Sequence, residues 1–206
     1  FLEAPPRFEE NRGQAAANVR FVARGPGYTI LLEDRAAVLR LRRDAVRMDL
    51  VEAAQPAARG LEQFSGVSNY LIGNDPAKWH VGVPAYARVE FDGVYPGINL
   101  VYYGSQRKLE YDFVVAPGAD PNRIRLRFDG ARSLRLDSNG DLIVAGPEGE
   151  IRQHAPVVYQ QANGKRRSVP GRYVLEDGGQ VAFRLNEYDR TCPLVIDPKL
   201  SFSTYY

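Results

Sequence analysis

The stretch Ile98 to Pro121, INLVYYGSQRKLEYDFVVAPGADP, constrains the fold more than any other. Ile98, Leu100 and Tyr102 alternate with Asn99, Val101 and Tyr103. After Gly104-Ser105-Gln106 the alternation resumes as Leu109, Tyr111, Phe113 and Val115 against Lys108, Glu110, Asp112 and Val114. Period-two patterning on both sides of a short Gly-containing break predicts a β-hairpin. Two strands alone are unstable in water, so the aromatic face of this hairpin must be buried against further strands.

Strand signals fill the rest of the chain. Residues 1–17 read as an irregular arm. Val19, Phe21 and Ala23 then alternate with polar neighbours, Gly25-Pro26-Gly27 turns, and Tyr28 to Leu32, Ala37 to Leu41 and Val46 to Leu50 continue as a meander. A tight turn at Arg43-Asp44-Ala45 would set Arg40 opposite Asp49 as a cross-strand ion pair. Residues 52–61 read as a loop, and Phe64 to Gly73 as two short strands around Gly66. Asp75-Pro76 and Asp120-Pro121 each join a capping carboxylate to proline at the first helical position, the signature of a helix start of about one turn. Arg125 and Arg127 alternate with Ile124, Leu126 and Phe128 and are expected on a solvent face beside acidic groups. Asn139-Gly140 between Leu134–Leu136 and Leu142–Ala145 is the strongest short-range hairpin signal. Strands over 150–154, 157–161, 169–175, 181–185 and 194–196 follow, with a turn at Asn163-Gly164 and a last strand-like piece from Leu200 to Tyr205. About fourteen short strands with frequent turn signals predict an all-β antiparallel sandwich with at most one or two short helical turns.

The totals exclude several classes. With 44% hydrophobic and 25% charged residues over 206 positions, the chain can bury a core and is not disordered. No apolar run approaches the roughly 18 residues of a membrane span. A net charge of +2 gives no global field recommending nucleic acid. Most basic residues are arginines, spread along the chain, which fits coding composition better than a set of anion forks. The single cysteine, Cys192, excludes an internal disulfide and reads as a small buried hydrophobe. His80 and His154 lack partners at metal-ligand spacing. No cofactor is expected.

Three constellations carry candidate chemistry. Glu110 and Asp112, two apart on one strand, share a face at about 7 Å between Cα atoms, a separation that suits an acid and a base in glycoside hydrolysis. The simpler reading is a solvated strand face paired with Arg125 or Arg127. Asp137, Asn139 and Asp141 resemble the opening of a calcium loop, but Gly140 comes too early and the closing glutamate is absent, which favours a metal-free hairpin turn. Tyr70, Trp79, Tyr86, Tyr95, Tyr102, Tyr103 and Tyr111 crowd the middle third. Most belong in a core, and Trp79 and Tyr103 are the two expected at a ligand-binding surface.

Several pieces together carry a resemblance: Phe8 to Gln14 (FEENRGQ), Val19 to Tyr28 (VRFVARGPGY), Ser68 to Trp79 (SNYLIGNDPAKW), Val94 to Gly104 (VYPGINLVYYG), Leu109 to Pro121 (LEYDFVVAPGADP), Pro156 to Gln160 (PVVYQ) and Leu194 to Pro198 (LVIDP). In this order they resemble, over nearly the full length, the N-terminal domain that precedes SBBP-type β-propeller repeats in large secreted bacterial proteins. The resemblance implies an extracellular or cell-surface module with no catalytic residues assigned, partnered by a downstream repeat domain of the same chain, with a cell-surface glycan or protein as a further partner. Residues 1–198 would form one continuous module of two packed lobes, 1–104 and 105–198, and residues 199–206 would begin a linker or the first strand of a repeat region. The start at Phe1 without Met fits removal of a leader. The expected function is a non-catalytic β-sandwich interaction or structural module of adhesion or ligand-binding type. The alternative is a carbohydrate-active hydrolase domain using Glu110 and Asp112.

Overall fold

The structure, a computed structural model, describes residues 5–41, 44–105, 108–147, 149–162 and 164–204. Arg43, Gln106, Asn163 and Tyr205, on which turn and strand-end expectations fell, lie outside them. In chain order the strands are β1 (Phe8–Glu10), β2 (Val19–Gly25), β3 (Tyr28–Glu33), β4 (Ala36–Arg40), β5 (Ala45–Leu50), β6 (Ala57–Tyr70), β7 (His80–Tyr95), β8 (Ile98–Ser105), β9 (Lys108–Val115) and β10 (Arg125–Asp129). They continue as β11 (Ser133–Leu136), β12 (Leu142–Ala145), β13 (Gly149–Gln153), β14 (Val157–Ala162), β15 (Lys165–Val169), β16 (Gly171–Glu176), β17 (Gln180–Leu185), β18 (Leu194–Asp197) and β19 (Leu200–Thr204). The helical content of the described residues is three single 3-10 turns, at Pro76–Lys78, Pro121–Arg123 and Asp177–Gly179. The all-β antiparallel expectation therefore holds, with nineteen strands described in place of about fourteen.

One large sheet runs β15-β14-β18-β9-β8-β7-β1-β2-β3-β4-β5-β10-β17-β16, with β6 paired to β7 alongside that path. A second sheet runs β11-β12-β13-β19. The large sheet does not close into a barrel; it doubles back so that its two halves face each other. The central hairpin shows why. Ile98, Leu100, Tyr102, Leu109, Tyr111, Phe113 and Val115 are all buried, and β8 pairs β9 from Ile98↔Val115 to Ser105↔Lys108. Their rings form a ladder: Phe91, Tyr102, Tyr111 and Phe113 lead to Phe183 on β17 and Tyr173 on β16, with successive centroids 5.4–5.9 Å apart. Burying each such side chain contributes about 1.5–3 kcal/mol, and edge-to-face ring contacts add to that. Between the halves lies an apolar cavity of about 40 Å³, lined by Ile30, Leu39 and Met48 on one side, by Leu109 and Tyr111 on the other, and by Ile151 of the second sheet. Tyr95 pins the same two halves through its hydroxyl, which donates to the Val51 carbonyl at 2.9 Å and to the Arg125 carbonyl at 3.2 Å.

Both Asp-Pro signals become capped turns. The Asp75 carboxylate accepts from the Ala77 amide and the Asp120 carboxylate from the Asn122 amide, with proline opening each turn. Asp120→Ala is expected to cost about 1 kcal/mol, visible as a fall of about 2–4 °C in Tm.

Four local expectations are corrected. The N-terminal arm contains β1, which is inserted between β2 and β7. Residues 57–70 form one strand, not a loop followed by two strands; pairing with β7 along one edge holds it extended although neither face alternates cleanly in burial. Arg40 faces Ala45, because the chain reverses two residues earlier than a turn at Arg43-Asp44-Ala45 would, the Leu41 amide already donating to the Asp44 carbonyl at 2.7 Å; Asp49 lies across from Ala36 and pairs with Arg47 and Arg127. Cys192 is half-buried in the β17–β18 loop, 3.5 Å from the Asp189 carboxylate.

Candidate functional site

On the outer face of β8 and β9, opposite the aromatic ladder, alternation brings Tyr103, Glu110 and Asp112 to one side. Tyr103 lies across from Glu110, and its hydroxyl donates to Asp112 Oδ1 at 3.0 Å. The register of β9 with β18 ends at Phe113↔Ile196; Asp197, the next residue of β18, lies near enough for its charge to act on Asp112. Asp197 is only 8% exposed, and its Oδ1 is buried without a hydrogen-bond partner. From β7 the Arg88 guanidinium lies 5.6 Å from the centre of the Tyr103 ring, with its Nε likewise buried and unbonded. From the other flank Arg166 of β15 stacks 3.4 Å over the ring of Tyr159 on β14.

Electrostatics follow from this crowding. Burial, then the neighbouring charge of Asp197, pushes Asp112 up to about 6 against an ordinary 3.8, and Tyr103 and Arg88 only partly offset the rise. Burial also raises Asp197, with Lys199 and Arg166 pulling the other way. Among the described residues no Lys or Arg forms an ion pair with either carboxylate; Arg88 is 3.8 Å from Glu62 instead. Arg125 and Arg127, the expected partners of this face, sit elsewhere: Arg125 pairs with Glu176, and Arg127 with Asp49 and Asp129. Glu110, Asp112 and Tyr103 were thus legible as one face, whereas Arg88, Tyr159 and Asp197 were not. The signal for Asp197 is its outward position beside Val195, readable only once β9 and β18 are known to pair.

Trp79 lies far from this face, at the tip of the β6–β7 hairpin. Beyond the contacts of β7 with β1 at Ala85 and Tyr86, the two strands continue as a two-stranded arm from Val67↔Pro84 to Tyr70↔His80. The arm is braced. Glu9 of β1 accepts hydrogen bonds from Ser68, Tyr70 and Arg24. Burial and the Glu9 hydrogen bond push the Tyr70 hydroxyl up to about 12. Arg7 lies 4.3 Å over the Phe64 ring, and His80 packs on Gly13 so closely that a Cβ there would lie 2.5 Å from the imidazole. Yet the tip is open and shows apolar side chains beside the exposed Asn74, Asp75 and Lys78. Ile72 is 74% exposed, Leu71, Val67 and Val81 are also exposed, and Trp79 shows its ring while its indole N–H donates to the Gly73 carbonyl.

The Asp137–Asp141 turn spends its oxygens internally. Asp137 Oδ1 accepts from the Asn139 and Asp141 amides, and Arg152 bonds the other oxygen of Asp137 as well as Asp141. Asp141 further accepts from the Ala155 amide and lies 3.1 Å from His154 Nδ1. Desolvation works to raise Asp137, but the bonds from Arg152 and the backbone outweigh it and hold the carboxyl below its ordinary value. A guanidinium therefore stands where a calcium loop would need its cation. An open cleft of about 430 Å³ beside the N-terminal loop is lined by Glu10, Arg20, Phe21 and Ala58. Its charged groups are committed, Arg20 to Asp34 and Glu10 to Arg12.

Comparison with known proteins gives one result: the family described as Domain of unknown function (DUF7948) matches residues 8–199. No curated protein and no solved structure matches.

Proposed function

Because the chain belongs to the family described as Domain of unknown function (DUF7948), we propose that it is a non-catalytic interaction or structural module of a secreted or cell-surface multidomain bacterial protein, of adhesion or ligand-binding type. The observation that carries this reading is the braced arm with its open tip. Exposed apolar side chains at Leu71, Ile72, Val81 and Trp79, all near one end of the arm, mark a contact surface, and bracing by Glu9 and His80 means that little conformational freedom is lost on binding. The partner we propose is protein, not sugar. Aliphatic side chains and an indole N–H already bonded to Gly73 have no hydrogen bonds to offer hydroxyl groups. The resemblance to domains that precede β-propeller repeats makes the downstream repeat domain of the same chain the favoured partner.

The triple variant Leu71→Ser/Ile72→Ser/Val81→Ser tests this. In the longer protein with its repeats the variant is expected to lower Tm and loosen the repeat domain under limited proteolysis, while the isolated module keeps its Tm within about 1 °C, as exposed substitutions do. An unchanged longer protein would sink the reading.

The hydrolase reading rests on Asp112, whose pKa of about 6 falls in the range of a general acid. Against it, Tyr103 already occupies Asp112 Oδ1 and Trp79 stands at the far end of β7. Turnover of a glycan or ester that Glu110→Gln abolishes would favour the hydrolase.

A further inference from the structure

We propose that the free edge of β15 takes an extended acidic segment of a partner protein as an added strand. Among the described strands β15 ends the large sheet and pairs with β14 alone, position by position from Val169↔Val158 to Lys165↔Ala162. No bulge interrupts this pairing. The opposite edge therefore offers the amides and carbonyls of alternate residues in regular order, the template on which another strand is laid. Lys165, Arg166, Arg167 and Ser168 are all exposed. Five steps along the sheet separate this edge from β7 and its arm, so the surface is additional to the one proposed above.

Charge selects the occupant. Three consecutive cations on a strand point alternately to its two sides, Lys165 and Arg167 to one and Arg166 to the other, so an added strand meets positive side chains on both. None of the three forms an ion pair among the described residues, whereas Arg20, Arg47, Arg125 and Arg127 on the other half of the sheet all do. Asp189 and Asp197 act on Arg167 and Arg166 without pairing with them; Asp189 is spent on Thr191 and Cys192, and Asp197 is buried. Further cations border the edge. Gln160, across from Arg167, holds the loop that carries Arg190 through bonds to the Asp189 backbone. Past Pro170 the strand runs on into β16, where Arg172 stands directly opposite Arg184. Arg166 is fixed in advance, since its guanidinium stacks 3.4 Å over the Tyr159 ring and presents its donors without first being ordered.

Like charge on an edge strand also keeps copies of one protein from pairing with each other. That role needs charge on the edge strand alone; it calls for neither Arg184 on the next strand nor Arg190 in a loop. Repulsion of a second copy and attraction of an acidic strand come from the same side chains, and together they define which strand is accepted. An anionic polysaccharide could meet the charges, but it would leave the edge amides and carbonyls without the partners that a peptide backbone supplies. Opposite charges set across a strand pair stabilise it, and exposed ones do so less as salt rises.

The experiment titrates the whole chain with a capped peptide, Thr-Val-Thr-Glu-Glu-Glu-Thr, whose glutamates fall opposite Arg167, Arg166 and Lys165 when it pairs antiparallel to β15. NMR is expected to show amide shifts in β15 and β14, with outward amides of β15 gaining protection from exchange. The Lys165→Thr/Arg166→Thr/Arg167→Thr variant is expected to bind roughly tenfold more weakly at an unchanged Tm, and wild-type affinity to fall from low to high salt. Two further peptides, N-methylated at one or the other set of alternate residues, separate strand addition from charge: the one whose blocked amides face β15 is expected to lose binding. Equal binding by both, or by a peptide with lysine in place of the glutamates, overturns the inference. So does chondroitin sulfate that shifts the β15 amides while the peptide shifts none, because the surface would then serve a polysaccharide. Should the triple variant not fold, the wild-type titration decides: peptide that leaves the β15 amides unmoved refutes the added strand.

Discussion

Phe113→Ala is expected to cost about 3–5 kcal/mol, read as a lower urea midpoint with an unchanged slope. Phe113 is fully buried and sits at the turning point of the aromatic ladder, 5.8 Å from Tyr111 and 5.9 Å from Phe183. Its first contact lies within one strand, and its second crosses from β9 to β17 in the facing half of the sheet. Truncation therefore leaves a void that neither half can close by moving alone, and poor collapse is what carries such losses to the top of their range. Tyr111→Phe is the control. It keeps the ring but removes the hydroxyl that donates to Gln153 Oε1 at 2.9 Å, leaving a buried acceptor unpaired for a smaller loss of about 1–3 kcal/mol.

Asn11→Ala is the second large effect, about 2–3 kcal/mol, because one side chain closes a whole loop. The Asn11 amide donates to the Ala15, Ala16 and Val19 carbonyls, and its Oδ1 accepts from the Gly13 and Ala15 amides. Water can replace part of this set, since the loop is partly exposed, which keeps the loss below that of a core cavity. Asn11→Asp separates hydrogen bonding from size. It preserves the shape but aims a second carboxylate oxygen at three carbonyls, so it should be no better than alanine above the pKa of the new carboxyl. In both variants faster amide exchange at residues 13–19 is expected. The arm should loosen as well, because His80 rests on Gly13 within this loop.

How far sequence reasoning reaches depends on where each residue finds its partner. The central hairpin was legible because alternation and turn are local, and every residue assigned to its inner face is buried. The Asp-Pro caps were legible for the same reason, with donor and acceptor two residues apart. β6 was not. As a strand paired on one side only, with Glu62 in the left-handed region at φ 57 and bulges beyond Gln63, it keeps no clean period. The register of β4 and β5 failed on a single assumption about where the turn is centred. At the candidate site, Glu110, Asp112 and Tyr103 could be placed on one face from the alternation alone. Asp197 and Tyr159 could not, because β9, β14 and β18 meet across long stretches of chain and no local pattern announces a pairing made at that distance. Pieces quoted for the resemblance fall largely on structural devices: Asn11 in its loop, Tyr95 between the halves, and Gln160, whose side chain clamps the loop at Asp189 and Cys192.

The strand order of the large sheet also sets a timetable. A ribosome delivers the hairpin 157–169 about twenty-five residues before Leu194–Asp197, the strand that must sit between that hairpin and β9. Phe8–Glu10, the earliest of the described strands, waits for Ala85 and Tyr86 before its second edge is covered. Growth from one end cannot complete such a sheet, so the nascent chain carries open strand edges until nearly all of it has been made. Folding of this domain is accordingly a late and slow event.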